Sequence, residues 1–401
     1  MQRQHSISAT LLILILMSCS SDNNPILNIM KSNSPQIRAI YSSLEKHEVQ
    51  IIYTQIERDE SGIPKFTDFQ FQADDRQYFY PASTAKLPVA ILALQKVREL
   101  QKNGIPISVQ SRFVAKESST GKIIIDRDSS SETGYPTLAH MIRKIFLVSD
   151  NDAYNYLFDF LGRDYINQEL NLRGIGPLHI NHKFLQEANN KHTWEYEFFD
   201  ENDQPIYHQP SIESNVDKHS YPLFGMKKGV GFIDNNGNLI NEPFDFSGKN
   251  YLSLQSLNRI LKAVIFPESF PQNERFDITT EDHDFLRYWM SRNTLESDYP
   301  NYQTDNYYES YVKFFMFGDT HDPMPDNIRI YNKVGNAYGT LSEVAYIVDE
   351  DNDVEFMLSA TLLINQNQVF NDGVYEYEEL GFPFMAELGR KVYQLELQRK
   401  R

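Results

Sequence analysis

Apolar and polar positions along this chain predict strands at both ends and helices between them. VQIIYTQI (49–56) is a β-branched and aromatic run, DESG closes a turn, and KFTDFQFQ (65–72) alternates in part, so the three predict a hairpin. GTLSEVAYIV (339–348) and VEFMLSATLLI (354–364) flank the turn DEDND and predict a second hairpin, after which FMAELGRKVYQLELQ has helical spacing and helix-forming residues. The stretch from Ser83 to about Phe276 reads as helical runs broken by loops. The expected fold is therefore α/β (α+β): an antiparallel sheet flanked by helices and built from both termini, with an inserted all-helical lobe.

Length and charge narrow this further. A chain of 401 residues without a repeat suggests one large domain or two interlocked lobes. A formal net charge of -17 with no basic run argues against a nucleic-acid partner. The first nineteen residues stand apart, with Arg3 followed by an apolar run from Leu11 to Met17 that is too short to span a bilayer and reads as a signal peptide. Leu16, Met17, Ser18 and Cys19 resemble a bacterial lipobox, in which the cysteine is lipidated; an ordinary secretory signal is the alternative. The expectation is an exported protein of the bacterial envelope, anchored through Cys19 on the periplasmic side or at the outer membrane. Residues 20–35, polar with two prolines, are expected to be a tether, and 36–401 the folded domain. A single cysteine leaves no disulfide framework.

Candidate chemistry starts at FYPASTAKLPVAI (79–91). Ser83 and Lys86 lie three apart at the mouth of an apolar helix, where such positions share a face about 5–6 Å apart. A lysine amine lodged against Leu87, Val89, Ile91 and Leu92 loses basicity and becomes able to accept a proton near neutrality. The spacing alone is weak, since Ser43–Lys46, Ser119–Lys122 and Ser310–Lys313 share it. Ser149, Asp150 and Asn151 form a short polar loop between two helical stretches, a placement that suits a site or a helix N-cap equally. YNKVGNAYG (331–339) sets Lys333 beside Gly335, which in a strand would admit another backbone or a ligand closely. Ser21–Asn23, Lys102–Gly104 and Lys227–Gly229 repeat these short patterns in turn-like surroundings.

Taken in order and with their flanking residues, FYPASTAKLPVA, VSDNDAYNYL and YNKVGNAYG resemble the class A β-lactamases and the wider penicillin-recognising serine enzymes. The resemblance runs from about residue 38 to 395. It implies Ser83 as nucleophile, Lys86 as its proton acceptor or relay, and Ser149 passing a proton to the leaving nitrogen with support from Lys333. Asn151 would bind the substrate amide, Asp150 would brace the loop, and backbone N–H groups of Ser83 and Asn336, next to Gly335, would form the oxyanion hole. The substrate implied is a small β-lactam or a cell-wall peptide, and a monomer is expected.

This chain also departs from the resemblance. Val334 stands where the family usually carries a hydroxyl residue that holds the substrate carboxylate, and LSEVAYI offers no arginine for it. The family's glutamate for deacylation has no clear counterpart in GIGPLHINHKFL; Glu187 is the nearest candidate, with a solvated helix-face glutamate as the alternative. β-Lactam hydrolysis is therefore weighed against a D,D-peptidase or transpeptidase and a non-catalytic envelope binding protein. The stretch between Ser149 and Lys333 is longer than the family needs, which places an insertion at about 190–250 with a small hairpin at Asn236–Gly237. His179 and His182 lack an evident third partner, so no metal is expected, and phosphate or dinucleotide motifs are missing, so no cofactor is implied.

Overall fold

A computed structural model describes residues 24–399, except 186–188, 216–220 and 305. Cys19 and Glu187 lie outside the described residues. Five strands form one antiparallel sheet: β1 (Gln50–Arg58), β2 (Pro64–Phe71), β3 (Ile328–Ala337), β4 (Thr340–Asp349) and β5 (Val354–Leu363), in the order β3-β4-β5-β1-β2. The seam between the two ends of the chain is β1 against β5, with Tyr53 opposite Leu358.

Both faces of the sheet are covered along β1, β4 and β5, which explains why these strands read as near-continuous apolar runs. On β1, Ile51 and Tyr53 join a core with Ile26, Phe384, Leu388 and Val392, whereas Ile52 and Ile56 join a second core with Leu257, Leu261 and Val264. Helix Phe382–Gln398 closes the first core, and helix Leu254–Ile265 leads the second into the helical lobe. At the centre of that lobe lies Lys86–Lys102, every residue of which is buried from Lys86 to Gln95. A helix apolar on all sides needs partners on all sides. Helices Leu138–Val148, Asn151–Leu161 and Arg163–Leu172 supply them.

The structure differs from the sequence expectation in three places. The inserted lobe is not all helical, because Ile123–Ile125, Arg112–Lys116, Glu195–Phe199 and Pro205–Gln209 pair in that order into a four-stranded sheet. These strands are short and half buried, so their signal is faint beside the helices. The tether expected at 20–35 is folded from its fifth residue onward: Asn24 caps a helix at Pro25–Met30 that buries Ile26, Ile29 and Met30, and a second helix starts at Pro35. Asparagine as N-cap and proline at the first helical position are start signals that polar composition conceals. Finally, the K-x-G segment, expected just ahead of the first strand of the C-terminal hairpin, is itself part of a strand, β3, at the edge of the sheet.

The insertion beyond residue 221 is built of short pairings. Gly231–Ile233 and Leu239–Ile240 form the hairpin around Gly237, which takes a left-handed φ of 83°, and Gly231–Ile233 also runs parallel to Val369–Phe370. Phe244, Phe246 and Tyr251 from this region pack with Tyr78, Tyr80 and Phe370 into an aromatic cluster. The insertion thereby buttresses the chain just ahead of Ser83.

Candidate active site

Ser83 sits in a single 3-10 turn, Ala82–Ala85, that precedes the buried helix rather than in the helix itself. Ala82 has a left-handed φ of 46° although it is not glycine, a conformation held by surrounding packing because Ala82 is almost fully buried. The strain falls on the residue before the candidate nucleophile. Among the described residues the Ser83 hydroxyl makes no hydrogen bond.

Lys86 does not reach for Ser83. Its Nζ donates to the Ser149 carbonyl oxygen, to Asn151 Oδ1 at 2.7 Å and, more loosely, to Ser149 Oγ at 3.4 Å, and it lies 5.1 Å from the centre of the Phe184 ring. Full burial disfavours the ammonium and brings its pKa down to about 7, against weaker opposing pulls from Asp150 and Asp152. A lysine poised there can take a proton at neutral pH.

The polar loop is fixed by its own chemistry. Ser149 ends helix Leu138–Val148 in the left-handed region at φ 58°, and Asp150 caps the next helix by accepting from the Ala153 N–H at 2.7 Å. Asp150 is thus the brace, with Lys144 3.6 Å away. Asn151 gives its side-chain oxygen to Lys86, which leaves its amide nitrogen to donate elsewhere.

From the opposite side, Lys333 on β3 donates to Ser149 Oγ at 2.8 Å and to the Val334 carbonyl at 2.9 Å. Its pKa lies well below the usual lysine range, first through burial and then through the nearby Lys86 charge. One hydroxyl therefore stands between two buried amines. Gly335 faces the Ser83 turn so closely that a Cβ there would lie 2.7 Å from the Pro81 carbonyl oxygen and 2.9 Å from the Ser83 and Thr84 nitrogens. The close approach that the glycine permits is to protein backbone. Asn336, the next residue, is exposed at the mouth of the cleft.

Ser83, Ser149, Asp150, Asn151, Val334 and Asn336 line one cleft of about 660 Å³. Sequence reasoning missed most of its other walls. Tyr307, Tyr308, Tyr311, Tyr375, Tyr377 and Glu378 come from two segments after residue 300 that carry no motif, although the tyrosine density of NYYESY was visible. The last two belong to a π-helical turn, Tyr377–Gly381, that opens the C-terminal helix. A second missed feature lies behind β3: buried Lys313 donates to the Met290 and Ile330 carbonyls and to Asn332 Oδ1, and Asn332 in turn donates to buried Glu343. His182 stacks on Tyr80 with ring centres 6.2 Å apart. No group of side chains able to hold a metal ion occurs among the described residues.

Residues 34–204, which carry Ser83, Lys86 and Ser149, match the family model described as the beta-lactamase enzyme family. Over that segment the chain resembles this family. Among solved structures it is similar to L2 complexed with relebactam, at 13% identity over 93% of this chain and 98% of that one, with a TM-score of 0.49. It is likewise similar to a class A beta-lactamase from Mycobacterium abscessus, at 13% identity over 88% and 96% with a TM-score of 0.47. An ancestral class A beta-lactamase aligns at 12% identity over 92% and 98%, with a TM-score of 0.49. No curated protein matches. The β-lactamase-like resemblance thus has a family match over the segment that contains the first two motifs, while the third lies beyond it.

Proposed function

We propose that the protein is a serine hydrolase that opens β-lactam amides through an acyl-enzyme on Ser83. The observation that carries this reading is the pair of buried lysines meeting at Ser149 Oγ beside the strained turn of Ser83. Ser83 Oγ attacks the carbonyl carbon, its proton passes to neutral Lys86, and the carbon–nitrogen bond breaks as Ser149 hands a proton to the leaving nitrogen. Lys86 re-protonates Ser149 across their 3.4 Å contact, and Lys333 steadies the hydroxyl while it is short of a proton. Backbone N–H groups of Ser83 and Asn336 are proposed to hold the oxyanion, and Asn151 the substrate amide. Glu187 is proposed to activate the water that clears the ester.

Intact-mass spectrometry of the chain from residue 24 onward, incubated with a penicillin and a cephalosporin beside Ser83→Ala, tests this. A wild-type adduct that clears within minutes, with none in the variant, is the expected result. An adduct that persists would favour the second reading, a D,D-peptidase or transpeptidase on cell-wall peptides, which buried Val334 in the cleft supports. No adduct on the wild type would leave a different acyl donor or the non-catalytic binding protein standing.

For the leader, we propose lipidation at Cys19 and residence in the bacterial envelope. Among the described residues no helix is long and apolar enough to cross a membrane. Partition of the full chain into the detergent phase, lost in Cys19→Ala, is the expected outcome; equal partition of both would remove the anchor.

A further inference from the structure

The charge of the cleft says more about its acyl donor than the motifs do. Every charged side chain lining it among the described residues is an acid, Asp150 or Glu378, and no lysine, arginine or histidine joins them. The cations beneath its floor are already engaged: Lys86 donates to Ser149 and Asn151, and Lys333 donates to Ser149 and the Val334 carbonyl. Both are buried. Val334 offers no hydroxyl beside them. A carboxylate carried next to the reacting carbonyl would meet neutral donors but no cation among the described lining residues, and Asp150 and Glu378 add negative charge to the same cleft.

The remaining walls are aromatic. Tyr307 and Tyr311 rings meet at 4.9 Å, Tyr308 lies 5.7 Å from Tyr311 with one face stacked on His321 at 3.7 Å, and from the other segment Tyr375 and Tyr377 meet at 5.6 Å. Glu378 is exposed on the π-helical turn next to Tyr377, within electrostatic reach of Tyr308, and has neither an ion pair nor a hydrogen bond among the described residues. Tyrosine faces beside an unengaged carboxylate attract rings and ammonium groups. We infer that the cleft selects acyl donors that lack a free carboxylate at the reacting end and carry an aromatic, amine-bearing group, which the tyrosines and Glu378 receive. The inference rests on Ser83 as the nucleophile proposed above.

Three matched probes test it on the chain from residue 24 onward: benzylpenicillin, its methyl ester, and the methyl ester of its α-amino analogue. The second-order rate of Ser83 adduct formation is read by intact mass, each normalised to the probe's reaction with hydroxide. The methyl ester is expected to react at least about tenfold faster than the free acid, and the amine to add a further severalfold that Glu378→Gln removes. A free acid that reacts as fast as its ester overturns the inference while leaving Ser83 as nucleophile. An amine that brings no acceleration, or an acceleration that survives in Glu378→Gln, overturns the part given to Glu378. If none of the three forms an adduct, the nucleophile reading itself falls and the inference with it.

Discussion

At Lys86 two effects oppose each other and burial wins. Three hydrogen-bond acceptors surround the amine and two aspartates pull toward the charged form, yet desolvation brings it from an ordinary 10.5 to about 7. As a base it must be neutral, so the acylation rate is expected to rise with pH and level off above an inflection near 7. Lys86→Arg keeps the charge at every pH and is expected to lose roughly 10²–10⁴-fold in acylation with the inflection gone. Single-turnover acylation between pH 5 and 9 measures both; a flat wild-type profile would dismiss Lys86 as the base. At rest Lys86 hydrogen-bonds Ser149 and Asn151 and not Ser83, so the proposed first proton transfer requires a substrate-bound geometry that differs from this one.

Among the elements, β3 and the Ser83 turn are held together by the missing side chain at Gly335. An alanine there meets carbonyl and amide atoms of backbone, not the end of a flexible side chain, so the strand must retreat. Gly335→Ala is expected to destabilise by about 1–3 kcal/mol, as overpacking does, and to slow acylation by about a hundredfold through misplacement of the turn. Denaturant unfolding and adduct kinetics on the same sample separate the two, and unchanged kinetics would show that the contact is only structural.

The same strand shows what the sequence could and could not reveal. β1, β4 and β5 were legible because burial on both faces demands apolar residues at nearly every position. β3 was not, because Asn332 and Lys333 are buried polar residues, engaged with the Lys313–Glu343 network and with Ser149, and they break the pattern. The motif residues were legible because each sits within a short local stretch. The tyrosine walls were not, since they become neighbours only through packing of segments far apart in sequence. PILNIM was hidden by its polar flanks.

At the scale of the whole molecule, buried lysines set a pH dependence of stability. Burial holds Lys86 and Lys313 each at about 7, and Lys333 well below its ordinary value. Between pH 7 and about 10 the unfolded chain binds protons that the folded chain has released, so the free energy of unfolding rises with pH over that window. Glu343 acts in the other direction below it: burial raises its carboxyl to about 7, and its contribution fades as pH climbs from 4.5 to 7. The denaturant midpoint is expected to be higher at pH 9 than at pH 7, with a smaller rise in Lys86→Met. A midpoint that falls over this range would mean that the amines stay charged in the fold.

The seam of β1 against β5 also orders events in time. Ser83 emerges early during synthesis, but the strand that braces its turn and supplies Lys333 follows only after residue 328, and β1 has no partner on its inner edge until β5 arrives. Contacts so distant in sequence form slowly. A nascent or prematurely ended chain therefore carries a serine without reactivity and a long unpaired strand edge prone to aggregation. The candidate site is complete only once the last part of the sheet is laid down, so any activity it carries arrives with the end of the chain rather than with Ser83.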